Sequence, residues 1–140
     1  MADPADIARQ YLEAAPSRDF DKVRQLYHPQ YTYTGGDGQL QKGAQAGMDV
    51  GQMFATAFPD GKIEIRRIHT VGDDVAIAEF VGRGTHTGDL MGIAPTGKRM
   101  ELPVCFVLEI RDGMIYAERE YMDMLHVMQQ LGVAPAPPTA

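Results

Sequence analysis

Between Lys62 and Met122 the chain reads almost without a break as β-strand, and every helical pattern but one comes before that stretch. Lys62–Val71 is rich in β-branched residues and ends at Asp73-Asp74. Val75–Thr87 follows, and the ten-residue loop GDLMGIAPTG leads to a third strand over Arg99–Arg111. Asp112-Gly113 is a two-residue hairpin signal, and Met114–Met122 returns beside it. Helices gathered ahead of a run of hairpins define an α+β fold. They must cover one face of a strongly curved, mostly antiparallel sheet. The result is a half-cone closed by the N-terminal helices, and such a half-cone encloses a pocket.

The helical part is punctuated clearly. Asp3 can cap a first helix with Pro4 in its opening turn, and Ile7, Ala8, Tyr11, Leu12 and Ala15 form the apolar stripe. Pro16 stops it. A short helix from about Asp19 to Tyr27 ends at His28-Pro29, and Tyr31–Thr34 is a short strand closed by the Gly35–Gly38 turn cluster. A third helix spans about Ala44 to Ala57 and stops at Phe58-Pro59-Asp60-Gly61. Met124–Leu131 closes the fold with Gly132 at its C-terminal cap. The 140 residues suit one domain, expected over 1–132, with an extended Ala/Pro-rich tail over 133–140.

Thirteen basic against nineteen acidic residues give −6, with Lys and Arg scattered, which argues against nucleic-acid or anionic-membrane partners. No apolar run approaches the ~20 residues of a membrane span. The opening MADPADIARQYLE carries acids where a secretory leader carries cations, so a cytoplasmic location is expected. The single cysteine, Cys105, excludes an internal disulfide and reads as an inert thiol in mid-strand.

Several chemistries lack support. Gly92–Lys98 matches the phosphate-loop string, but Arg99 stands where a Ser or Thr would bind magnesium, and a strand follows in place of a helix. His28, His69, His86 and His126 show no metal-binding spacing, so no metal is expected. There is no G-x-S-x-G elbow. Acid–base chemistry by carboxylates remains, and Glu118, Glu120 and Asp123 are the candidates. Strict alternation from the Asp112-Gly113 turn puts Val104, Phe106, Leu108, Ile110, Ile115, Ala117, Arg119 and Tyr121 on the face toward the helices. The same count sends Glu118, Glu120 and Met122 to the outer face with Cys105 and Val107. Asp123 reads as the N-cap of the last helix.

The stretch GRGTHTGDLMGIAPTGKR, then RDGMI and EYMDMLHVMQQLG, with YHPQY and TAFPD earlier, resembles the SnoaL-like polyketide cyclases, also called ester cyclases. The resemblance implies the cone-shaped α+β barrel shared with ketosteroid isomerase, scytalone dehydratase and limonene epoxide hydrolase. That fold hosts very different reactions. In the founding cyclases an aspartate removes a proton from carbon and a histidine assists, with no cofactor or metal. Counted from the G-x-x-P-T and D-G anchors, the aspartate falls on Glu120. The histidine falls on Phe106, a helper glutamine on Val104 and a helper asparagine on Tyr33. For Glu120 to enter the pocket with Phe106, the last strand must break alternation, and a β-bulge near Ala117–Arg119 is expected.

The resemblance thus implies Glu120 as acid/base in a dry pocket, with a raised pKa, and Tyr33 as a hydrogen-bond donor to an enolate oxygen. Tyr31, Met48, Met53, Phe54, Met91, Val104 and Phe106 would line the cavity, although the methionines equally suit an ordinary core. His86 is either a polar group at the mouth or a turn histidine bonded to backbone. Three functions are compatible with these residues. One is cyclisation or isomerisation of a hydrophobic carbonyl compound. Another is simple binding of an apolar small molecule. The third is hydrolase or dehydratase chemistry by Glu120 with Arg83 and Asp89. A Glu–Tyr or Glu–His pair in the cavity would favour catalysis, and a lone carboxyl would favour binding. The family commonly pairs through the outer sheet face, which makes a homodimer the expected assembly.

Overall fold

A computed structural model describes residues 3–135. The tail expected over 133–140 lies outside the described residues from position 136 onward. The elements run α1 (Pro4–Ser17), α2 (Phe20–Leu26), β1 (Tyr27–Thr34), β2 (Leu40–Lys42), α3 (Ala44–Ala57), β3 (Lys62–Val71), β4 (Val75–Thr85), β5 (Arg99–Arg111), β6 (Met114–Met122) and α4 (Met124–Gln130). This is the expected helix–strand order with one addition, β2, three exposed residues too short and too polar to show a pattern.

Local chemistry explains most boundaries. The Asp3 carboxylate accepts the Ala5 N–H and caps α1. Asp19 caps α2, and Asp123 caps α4 by accepting the His126 N–H at 3.1 Å. Pro16 sits inside the last turn of α1, and the helix ends two residues later at Arg18, in the left-handed region. At the β5–β6 turn Asp112 and Gly113 both have positive φ, 55° and 72°, the conformation that follows strand twist in a two-residue hairpin.

The six strands form one sheet in the order β2-β1-β6-β5-β4-β3. All neighbours are antiparallel except β1 and β6, which run parallel. β1 begins earlier than expected: Tyr27 already pairs with Ile115, and the register shifts before Thr32 pairs with Ala117. His28-Pro29 therefore disturbs a strand that is already under way.

Two apolar clusters fill the space between helices and sheet. One joins Ile7, Ala8, Tyr11, Val23, Leu26, Tyr27, Tyr31, Met48, Leu108 and Ile115. The other joins Leu12, Phe58, Phe80, Leu90, Met100, Leu102, Val127 and Leu131. Helix α1 contributes to both, because its stripe is wide enough to span them.

The pairing of β5 with β6 decides the site. Arg111 faces Met114 and Ile110 faces Ile115, but Glu109 then faces Ala117. Tyr116 is the extra residue of a β-bulge. The break of alternation thus lies one residue before the expected Ala117–Arg119. Beyond it every side chain changes face. Glu118 pairs with Leu108 and Glu120 with Phe106, both inward, and they are 1% and 4% exposed. Tyr121, placed inward by strict alternation, is 55% exposed. Arg119 also turns outward, where its guanidinium binds Glu109 at 2.6 Å. Tyr116 remains outside against Arg111, whose guanidinium lies 3.9 Å from the ring centroid.

Candidate active site

A cavity of about 150 Å³ lies between α1, α3 and the inner face of the sheet. Its walls are largely apolar: Leu12 and Ala15 from α1, Val50 and Phe54 from α3, and Phe80, Leu102, Val104, Phe106 and Met122 from the strands. Tyr11 and Glu120 bring polar groups into this wall. Arg18, Lys62 and Arg83 also line it. Arg18 donates to the carbonyls of Ala55 and Pro59, and Arg83 is bound to Glu64 and Glu101.

Glu120 is placed by the bulge and held among aromatic rings. Phe106, its partner across the ladder, meets Phe80 edge to face at 4.8 Å and Tyr11 at 6.1 Å. Burial pushes the Glu120 carboxyl well above the ordinary carboxylate range, the charge of Glu118 pushes it further, and the neighbouring Tyr33 hydroxyl opposes both.

Glu118 lies two residues back on the same face. Its Oε1 accepts hydrogen bonds from Tyr31 at 2.5 Å and from Tyr11 at 2.8 Å. The Tyr11 hydroxyl is in turn 2.7 Å from that of Tyr27. The rings of Tyr27 and Tyr31 pack tilted at 32°, with centroids 4.0 Å apart. Gly47 of α3 makes this arrangement sterically possible, because a Cβ there would collide with both of their hydroxyls. Burial raises the Glu118 carboxyl to about 7, against the two tyrosine hydrogen bonds that favour its charge. Its Oε2 is buried with no partner among the described residues.

The structure distributes the residues singled out from sequence unevenly. Phe54, Val104, Phe106 and Glu120 line the cavity. Tyr33 is buried near Glu120 and Tyr31 is fully buried on Glu118, and neither lines the cavity, against the expectation for Tyr31, because the Tyr31 hydroxyl is taken up by Glu118. Four others do not reach the cavity. Met48 is in the first core cluster, and Met53 packs against the second. Met91 is 57% exposed, because Met91 and Gly92 both take positive φ in the turn that links Leu90 to Ile93. His86 is fully buried at the start of the loop and not at the mouth. Its Nδ1 accepts the Thr96 N–H at 3.2 Å, and its ring packs on Phe58 at 5.7 Å. The turn reading of that histidine therefore describes it. Cys105 is only partly buried, on the outer face. The Glu120, Arg83 and Asp89 set does not assemble: Arg83 is taken by Glu64 and Glu101, and Asp89 accepts the Gly92 N–H in its own loop.

Sequence reasoning named Glu118 as a candidate but sent it to the outer face, and it missed Tyr11 and Tyr27 as its partners. A signal existed in the alternation of Glu118 and Glu120 on one strand: whatever brings one carboxyl inward brings the other.

Fold and site together define a class: an α+β protein whose curved sheet and covering helices enclose an apolar cavity with a buried carboxyl in its wall. A family model described as SnoaL-like polyketide cyclase matches residues 5–131, and the chain belongs to that family. Aklanonic acid methyl ester cyclase AcmA of Streptomyces galilaeus is 27% identical over 136 residues, covering 94% of this chain and 92% of that protein. Nogalonic acid methyl ester cyclase of Streptomyces nogalater is 31% identical over 117 residues, covering 80% and 84%. Among solved structures, IdmH of Streptomyces antibioticus superposes with a TM-score of 0.81 at 28% identity, covering 93% of this chain and 99% of that one. A Catenulispora acidiphila protein described as having a ketosteroid isomerase-like fold gives a TM-score of 0.75 at 18% identity, covering 96% and 97%, which bears on the fold alone. Among the described residues no helix is long and apolar enough to cross a membrane.

Proposed function

We propose that this chain catalyses proton transfer at a carbon next to the carbonyl of a hydrophobic polyketide-like ester, leading to ring closure or isomerisation. The observation that carries this reading is the Glu120 carboxyl: nine-tenths or more buried, in the wall of an apolar cavity, with a tyrosine hydroxyl beside it. An apolar surround weakens the hydration of a carboxylate and so strengthens it as a proton acceptor. Glu120 takes the proton from carbon. Tyr33 steadies the carboxylate form, which is a different part from the enolate donor expected of it. A tyrosine hydroxyl near the Glu120 carboxyl favours catalysis over simple holding of an apolar ligand. The two cyclase relatives, whose names specify methyl esters, supply the substrate class.

The test is a comparison of the native protein with Glu120→Gln on nogalonic acid methyl ester. The native protein is expected to stabilise thermally with the ester and to convert it. Glu120→Gln is expected to retain the thermal shift and lose turnover by about 10²-fold or more. Equal thermal shifts with no conversion by the native protein would establish a binding module in its place. We further propose that two copies pair through the outer face of the sheet, around Tyr121 and Cys105.

A further inference from the structure

Glu118 does not line the cavity, yet it is the more deeply buried of the two acids and has the better-built surroundings. Three tyrosines from two elements converge on it, Tyr11 from α1 and Tyr27 and Tyr31 from β1. Their hydrogen bonds have one consistent direction. Tyr31 and Tyr11 both donate to Oε1, which leaves the Tyr11 oxygen free to accept from Tyr27. A carboxylate is an acceptor only, and a chain of donors ending on it fits the ionised form. Such a cluster is more than packing requires, since four apolar side chains would fill the same space without burying a charge.

We infer that Glu118 is a positioning residue for Glu120: its tyrosine-clamped carboxylate places a negative charge behind the cavity that makes ionised Glu120 the stronger proton acceptor. The groups facing the two acids are few. Glu118 is bonded by Tyr11 and Tyr31, with Tyr27 one hydroxyl beyond and Tyr33 and Glu120 nearby, and Glu120 has Tyr33, Glu118, Tyr11, Tyr27 and Tyr31 around it and faces the ring of Phe106. Among the described residues neither carboxyl is paired with a lysine, arginine or histidine. The cations along the cavity are engaged elsewhere or exposed: Arg83 by Glu64 and Glu101, Arg18 by backbone carbonyls, and Lys62 on the surface. Like charges this close cannot both form easily, so they release their protons in two separated steps. The order of release follows the hydrogen bonds: Glu118, with two donors, ionises first.

The functional meaning rests on Glu120 as the acid/base, but the pairing is tested without turnover. Glutamate side chains labelled with 13C at Cδ are followed by NMR from pH 4 to 10 in the native protein, Glu118→Gln and Glu120→Gln, the variants supplying the assignments. In Glu118→Gln the Glu120 midpoint is expected to fall by about one pH unit or more. In Glu120→Gln the Glu118 midpoint is expected to stay close to its native value, because Glu118 ionises while Glu120 is still neutral. A Glu120 midpoint that stays put in Glu118→Gln overturns the proposal. Should Glu118→Gln fail to fold, Tyr31→Phe serves. Loss of one donor moves the shared proton toward Glu118, so in the half-ionised state the Glu118 signal shifts toward its acid form and the Glu120 signal toward carboxylate. Unchanged signals there overturn the pairing equally. If titration behaves as stated while no ester is converted, the pair stands and the proposed reaction falls.

Discussion

Two glutamates two positions apart carry most of what is chemically distinctive here. Both are folded into a medium that disfavours their charge, and both have carboxyls raised by burial. A raised acid keeps its proton in the folded chain at pH values where the unfolded chain has lost it. The stability these two acids contribute is therefore greatest near pH 4, where both are largely protonated folded and unfolded. It declines as pH rises through about 7, where Glu118 ionises, and beyond. The slope is about 1.4 kcal/mol per pH unit for each proton by which the two states differ. Urea unfolding at several pH values between 4 and 9 checks this. The native protein is expected to lose stability relative to the double variant Glu118→Gln/Glu120→Gln as pH rises. A constant difference would mean that neither acid is raised. The comparison also cancels exposed groups such as Asp60 and Glu64, whose carboxyls are lowered by hydrogen bonds from Thr85 and Arg83 respectively.

At the scale of the element, a single inserted residue controls the site. Tyr116 is legible as an ordinary strand residue, aromatic and flanked by apolar neighbours, and nothing local marks it as a bulge. It bulges because the pairing on either side of it is better satisfied that way. Ile115 goes into the core, Glu118 reaches the tyrosines, and Tyr116 stacks on Arg111 outside. Strict alternation would instead bury Arg119. The cap of α4 is the opposite case, written entirely in local chemistry. Asp123→Ala is expected to cost about 1 kcal/mol, read by urea unfolding, because the His126 N–H loses its acceptor. Turnover per folded molecule should be unchanged. Lost turnover at unchanged stability would move Asp123 from helix cap to site residue.

For the whole molecule, an exposed tyrosine and a partly buried thiol on the outer face of the sheet invite a partner. Sedimentation velocity at micromolar concentration is expected to give a dimer, and Tyr121→Glu a folded monomer. A native monomer at every concentration would remove the proposed pairing. The order of helices and strands, the Asp112-Gly113 hairpin, the helix caps at Asp3 and Asp123, and the family were all decided by residue types a few positions apart. Turn, cap and periodicity signals act within one turn or one strand, so they survive in a bare sequence. Which carboxyls face inward, and which tyrosines meet them, was decided only by the packed fold. Tyr11 and Glu118 stand 107 positions apart, and the face of a strand inverts with a single extra residue whose placement depends on every neighbour it serves.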